Sequence, residues 1–310
     1  MIFPIYFDPK KSLKLFNLTD NFEFLKKLYV QKKFPKVLML SGKKGSGKST
    51  LINHLMYFIF DKNYNDKTCE LNNGSIFYNQ FINNISSNII YLSGSNYKDT
   101  KIEDIRNLKT QIFKSSISKL PRFIIFDDVD LFNNNSLNAL LKIIEEPTKN
   151  NFFLLINNKS KPLIETIKSR CLEINIILNE EQKMDIISSL SKKFDINIII
   201  DPKSSQLTPG NFIKFNYICD KNKISINDNF IENLKILLNF FKKDKNMIFI
   251  DMMLFFTDTY FNNLKNKNNI SNEKIIENKR FVFENINKFF LYNLNQNAFL
   301  NNVNNKINVE

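Results

Sequence analysis

The chain has 310 residues, with 44 Lys and Arg against 31 Asp and Glu, so it carries a formal charge of +13 and is long enough for two or three domains with a sizeable core. Three scattered cysteines (Cys69, Cys171, Cys219) and a single histidine (His54) exclude a disulfide framework and a zinc module. Met1-Ile2-Phe3-Pro4 lacks the basic and long apolar regions of a signal peptide, and Met247 to Phe256 is interrupted by Asp251. The expectation is therefore a cytoplasmic protein with no membrane span.

The positive charge admits nucleic acid as a partner without requiring it. Lys, Asn, Ile and Phe crowd the chain while Gly and Pro are scarce, a bias that AT-rich coding produces without selection for charge.

In chain order, residues 20–33 predict a helix capped by Asp20 or Asn21, with Phe22, Leu25 and Leu28 or Tyr29 on one face and Pro35 beyond its end. The apolar run Val37-Leu38-Met39-Leu40 predicts a buried strand. It feeds Gly42-Lys43-Lys44-Gly45-Ser46-Gly47-Lys48-Ser49, which fits G-x-x-x-x-G-K-[ST] at every fixed position and is followed by Thr50. Ser49 to Phe60 then carries apolar residues at helical spacing. Strand, loop and helix together form a phosphate cradle: the glycines let backbone N–H groups turn inward, and the helix aims its positive dipole end at the anion. Lys48 would contact the outer phosphates and Ser49 would place its hydroxyl on a magnesium ion. His54, beside Leu51 and Leu55 on that helix, reads as structural.

Asp61 to Ser87 predicts an irregular insertion. Asn88 to Leu92 predicts a strand, and Ile102 to Ile117 an amphipathic helix. Arg122-Phe123-Ile124-Ile125-Phe126 reads as a strand buried on both faces, and it ends in Asp127-Asp128. A carboxylate at that strand end faces the ligand edge of a doubly wound sheet, which positions Asp127 to reach magnesium through water. A helix cap or turn is the other reading of this acidic pair.

Asn133 to Glu146 predicts a helix, Asn151 to Ile156 a strand, and Asn157-Asn158 either a contact to a terminal phosphate or a simple turn. Pro162 opens a short helix running to Ser169-Arg170-Cys171, and Leu172 to Ile176 gives a last strand. Alternating strands and helices from residue 36 to about 178 imply an α/β fold with one parallel sheet and helices on both faces.

Beyond it the pattern is helical. Asn179 to Lys193 and Gly210 to Cys219 suggest a small second domain, and helices follow from about Ser225. Phe230, Leu234, Leu237, Leu238 and Phe241 form one apolar face, and Phe281, Phe283, Ile286 and Phe290 another, while the last ten or so residues are expected to fray. The implied domains are 1–178, 179–224 and 225–310.

Four segments resemble the bacterial clamp-loader subunits of the AAA+ P-loop class, most closely the delta-prime branch of DNA polymerase III. They are Leu15-Phe16-Asn17-Leu18-Thr19, Phe34 to Thr50, Ile102-Glu103-Asp104-Ile105-Arg106, and Asp127 to Pro147 continuing into Thr166 to Cys171. The third resembles the family's segment before the magnesium-site strand; the fourth, with Leu137-Asn138-Ala139-Leu140-Leu141-Lys142 and Glu145-Glu146-Pro147, is the most specific.

This resemblance implies a P-loop domain that binds ATP and Mg2+, a small helical lid and a C-terminal helical collar. It also implies a hetero-pentamer of loader subunits that places a sliding clamp on primed DNA. Ser169-Arg170-Cys171 would then supply an arginine finger, Arg170, acting in trans on a neighbour's ATP. From the residues alone, Arg170 reads equally as a surface or salt-bridge arginine.

Three departures point away from a motor subunit. The segment 61–87 holds no four-cysteine zinc module, Pro209-Gly210-Asn211-Phe212 stands where a motor carries a nucleotide-sensing arginine, and Asp128 replaces the glutamate that orients the attacking water. The expectation is ATP binding with weak or no hydrolysis by this chain. The alternatives are an ATP-hydrolysing motor of gamma/tau type, and an unrelated nucleotide-dependent P-loop protein that binds DNA.

Overall fold

A computed structural model describes residues 4, 7–94, 105, 120–226, 228–266, 271–292 and 294–308. They fall into two compact units, one of Ile2–Ser189 with Thr208–Asn211 and one of Leu190–Leu207 with Phe212–Glu310.

The first unit is built on five parallel strands: β1 (Val37–Ser41), β2 (Ile89–Ser93), β3 (Arg122–Asp127), β4 (Asn151–Asn157) and β5 (Leu172–Asn175). Their order across the sheet is β2-β3-β4-β1-β5. The registers pair Ser41 with Asn157 and Ser93 with Asp127, so the polar residues that end these strands line one edge. The central strands are apolar throughout because both faces are covered. On one face Met39, Ile124, Phe126, Phe153 and Leu155 join Leu137, Leu140 and Ile143 of α4 (Asn134–Ile144) in a common core. The alternate residues Leu38, Leu40, Ile125 and Leu154 are equally buried on the other face.

The predicted helices form with small shifts. Helix α1 covers Thr19–Val30, but its cap position is Leu18, which makes no side-chain cap bond; Asp20 and Asn21 already lie inside the first turn. Helix α2 covers Lys48–Phe60. The stretch 61–87 is more ordered than expected: Ser75 caps α3 (Ile76–Ile82) by accepting from Tyr78 N at 3.0 Å, and Tyr78 and Phe81 bury. Asn133 caps α4 as expected, accepting from Ser136 N at 2.8 Å. Helix α5 is one turn, Glu165–Lys168. The helix predicted at 102–117 lies outside the described residues except for Ile105, which is helical and buried.

Helices α6 (Glu180–Phe194) and α7 (Pro209–Asn222) follow. In the second unit α8 (Phe230–Asp244), α9 (Ile248–Asn266), α10 (Asn272–Tyr292) and α11 (Gln296–Asn308) pack in succession, and α11 returns onto α8.

The predicted stripe of α8 is buried at all five positions. That of α10 is displaced: Ile275, Val282, Ile286 and Phe289 bury, while Phe281, Phe283 and Phe290 flank them half-buried. The C-terminus does not fray within the described residues, because Phe299 and Val303 of α11 insert into the core and leave Asn301, Asn302, Asn304 and Asn305 facing outward.

Candidate functional site

Everything at the presumed ligand edge follows from where the strands stop. Strand β1 ends at Ser41 and the chain turns at Gly42, whose N–H donates to Asn157 O at 3.1 Å. Gly45 and Gly47 then adopt φ of 84° and 94°. A side chain at Gly45 would lie 2.4 Å from Thr208 Oγ1 and 2.9 Å from Asn211 N, so this position requires glycine for space as well as conformation. Gly47 is the cap residue of α2 and offers no side-chain acceptor, which leaves the first N–H groups of that helix free for an anion.

Lys48 is 2% exposed. Its ammonium donates to Gly42 O at 2.7 Å, Lys43 O at 2.9 Å and Ser46 Oγ at 3.4 Å. Burial pulls the amine down to about 8, against the raising influence of Asp127, Asp130 and Asp128. The loop is also held from outside: Thr208 Oγ1 donates to Lys44 O at 2.6 Å, and Gly210 N donates to Gly45 O at 2.9 Å. Sequence reading assigned Pro209 to Phe212 by position only and missed Thr208, whose one signal was a hydroxyl just before a helix.

The structure brings Ser49 and Asp127 together, Ser49 Oγ donating to Asp127 Oδ2 at 3.3 Å. Asp127 Oδ1 accepts from Asp128 N at 2.9 Å, and Oδ2 also accepts from the Tyr91 hydroxyl, a partner the sequence reading missed. Burial raises the Asp127 carboxyl above the usual range, with Asp128 adding to it.

Asp128 sits in the left-handed region (φ 51°, ψ 43°), which aspartate tolerates better than most residues. Both oxygens of its carboxylate are engaged by neighbours, accepting from Asn158 Nδ2 and from Ser93 Oγ at 3.4 Å.

The two asparagines at the end of β4 separate in role. Asn158 faces the acidic pair, whereas Asn157 is buried in the edge, donating to Ser41 Oγ at 3.3 Å and accepting from Lys159 N at 2.9 Å. Asp130, absent from the sequence reading, fixes that loop by accepting from Asn158 N at 3.0 Å and Ser160 N at 2.7 Å. The D-D-x-D spacing was its only signal.

His54 is structural, as read. Its Nε2–H donates to Ser12 O at 3.0 Å, since a carbonyl can only accept, and Nδ1 therefore accepts from Tyr64 OH at 3.0 Å.

Arg170 is elsewhere. Its guanidinium donates to Thr166 O at 2.9 Å and to Glu145 Oε1 at 2.7 Å, with 37% of the side chain exposed. It lines a surface recess with Pro35, Lys36, Val37, Pro147 and Leu172, at the beginning of β1 and β5. The phosphate loop leaves the other end of β1, so about 13 Å of strand at ~3.3 Å per residue separates the two levels.

The donors fit a nucleotide phosphate, and Ser49 with Asp127 supply the right residue types for magnesium. Among the described residues no cluster of three or more His, Cys, Asp or Glu could hold a metal by itself, and no helix is long and apolar enough to cross a membrane.

Comparison with known proteins agrees with this geometry. The family described as "DNA polymerase III, delta subunit" matches residues 18–180. The chain is 33% identical over 95 residues to DNA polymerase III subunit gamma of Buchnera aphidicola subsp. Schizaphis graminum, covering 30% of this chain and 26% of that one. It is 30% identical over 151 residues to subunit delta' of the same subspecies, covering 47% and 43%. The matched stretches thus span less than half of either relative. Among solved structures, a DNA polymerase III gamma subunit-related protein from Thermotoga maritima superimposes with a TM-score of 0.47 at 15% identity, over 91% of this chain and 96% of that one.

Proposed function

The chain belongs to the DNA polymerase III delta-subunit family, and from that premise we propose that it is a delta-prime-like, non-motor subunit of an AAA+ clamp loader. In this reading it joins a hetero-pentamer in the cytoplasm through its C-terminal helices. The assembly opens a sliding clamp and places it on primed DNA.

The loop from Gly42 to Thr50 holds the phosphates of ATP through its N–H groups and the Lys48 ammonium, and Ser49 with Asp127 would hold the accompanying magnesium ion. That ion, when present, neutralises phosphate charge. Asn158, whose amide donates to Asp128, would contact the terminal phosphate. Weak hydrolysis in cis is supported by the state of Asp128, which is short, engaged by Asn158 and Ser93, and so poorly disposed to orient a water.

The observation that carries the reading is the placement of Arg170 at the opposite edge of the sheet from this chain's own phosphate loop. A guanidinium there cannot serve the nucleotide in cis, whereas a rigid, permanently charged donor on a rim suits a neighbour's phosphoryl group.

The test is steady-state ATP turnover of the reconstituted loader with clamp and primed DNA, comparing Arg170→Ala with Lys48→Ala. A large loss with Arg170→Ala and little change with Lys48→Ala supports the non-motor subunit. The reverse pattern would make the chain a motor, the reading favoured by its intact loop and its Ser49–Asp127 pair.

A further inference from the structure

Tyr91 lies on β2, one strand over from Asp127. The register pairs Ser93 with Asp127, so Tyr91 and Asp127 are diagonal neighbours on one face of the sheet, a separation an aromatic side chain can span. Its hydroxyl donates to Asp127 Oδ2.

The ring is fixed from its far side. Lys10 Nζ stands 4.4 Å from the ring centroid and donates to Asn84 Oδ1 at 2.6 Å. A phenol carries one O–H, and here that proton is donated to Asp127.

An ionised carboxylate offers about four lone-pair sites. Asp128 N takes one on Oδ1, and Ser49 Oγ and Tyr91 OH take both on Oδ2. Magnesium keeps most of its waters and reaches a carboxylate at such a site through one of them. With Ser49 and Tyr91 both on Oδ2, only the second lone pair of Oδ1 would be left for such a water.

We infer that Tyr91 is a positioning residue that uncouples nucleotide binding from magnesium: its hydroxyl occupies the place of a metal-bound water on Asp127, so this loop binds ATP with little help from the ion. The inference rests on the reading of residues 42–50 as a nucleotide loop, and it adds a fourth departure from a motor subunit.

The experiment titrates the full chain with a fluorescent ATP analogue in excess Mg2+ and in EDTA, for wild type, Tyr91→Phe and Tyr91→Phe/Asp127→Asn. Tyr91→Phe keeps the ring against Lys10 and removes only the donor. Wild-type affinity is expected to differ by less than about threefold between the two conditions. Tyr91→Phe should match wild type in EDTA and bind about tenfold tighter in Mg2+, the worth of one charge-assisted hydrogen bond regained, and the double variant should lose that gain.

A wild type that already gains tenfold or more from Mg2+ overturns the inference. So does a Tyr91→Phe variant that weakens in both conditions, which would make the phenol merely structural. Absence of binding by every variant in both Mg2+ and EDTA would refute the nucleotide-loop reading itself; absence of any magnesium gain in Tyr91→Phe refutes the role of Tyr91 alone.

Discussion

Arg170 is tied within its own chain to Glu145, the guanidinium nitrogen and the carboxylate oxygen standing 2.7 Å apart at the rim of a recess that begins at Pro35. The same side chain also folds back to Thr166 O, four residues earlier. To reach a neighbouring subunit it must leave both acceptors.

Glu145→Gln should therefore raise ATP turnover of the assembled loader, by no more than about fivefold, because a pair this exposed is worth about 0–1 kcal/mol. Melting temperature should stay nearly unchanged. A fall in turnover would mean that Glu145 aims Arg170 rather than restrains it.

His54 gives a pH signature. Burial takes its imidazole from near 6.5 down to about 4, so the unfolded chain binds a proton more readily than the folded one between those values. Stability is then full above about pH 6.5 and is lost as pH falls toward 4, with about 2 kcal/mol gone between pH 7 and pH 5. The raised Asp127 carboxyl works with the opposite sign, so the comparison needs a variant. Urea unfolding of His54→Gln should show a flatter profile over this range than wild type; parallel profiles would exclude His54 as the source.

Gly45→Ala should destabilise the first unit. The backbone strain of an alanine at φ 84° costs on the order of 1–3 kcal/mol, and its Cβ would push Thr208 off the loop. Adding Thr208→Ala should recover the contact portion only, a non-additivity measurable by urea unfolding. Full additivity of the two losses would show that they do not meet.

Leu140 is fully buried between α4 and the sheet. Leu140→Ala should cost about 2–5 kcal/mol in cooperative unfolding, as a cavity left among residues that can only partly relax. A loss under 1 kcal/mol would mean that the site collapses.

The central strands β1, β3 and β4 were legible because they are short apolar runs bounded by turn residues, as burial on both faces requires. The loop was legible because its glycines are demanded by conformation. What escaped was set by neighbours distant in sequence. Helix α3 lies in an asparagine-rich stretch and is seven residues long, held by Phe77, Tyr78, Phe81 and the Ser75 cap, too short for a periodic signal. Helix α11 hides its three anchors, Phe299, Leu300 and Val303, among polar residues. The engagement of Asp127 by Tyr91 depends on the pairing register of β2 with β3, and no local rule fixes that before the sheet forms.

Asp130 links two backbone donors of the loop that follows β4 to the turn that follows β3. Those two exits consequently behave as one mechanical piece, whose stiffness is set by Asp130 together with the Asn158–Asp128 bond. Substitutions at residues 128–130 will register at residues 157–160 through this shared brace, so correlated effects between the two segments are the expected result of leverage and call for no alternative conformation.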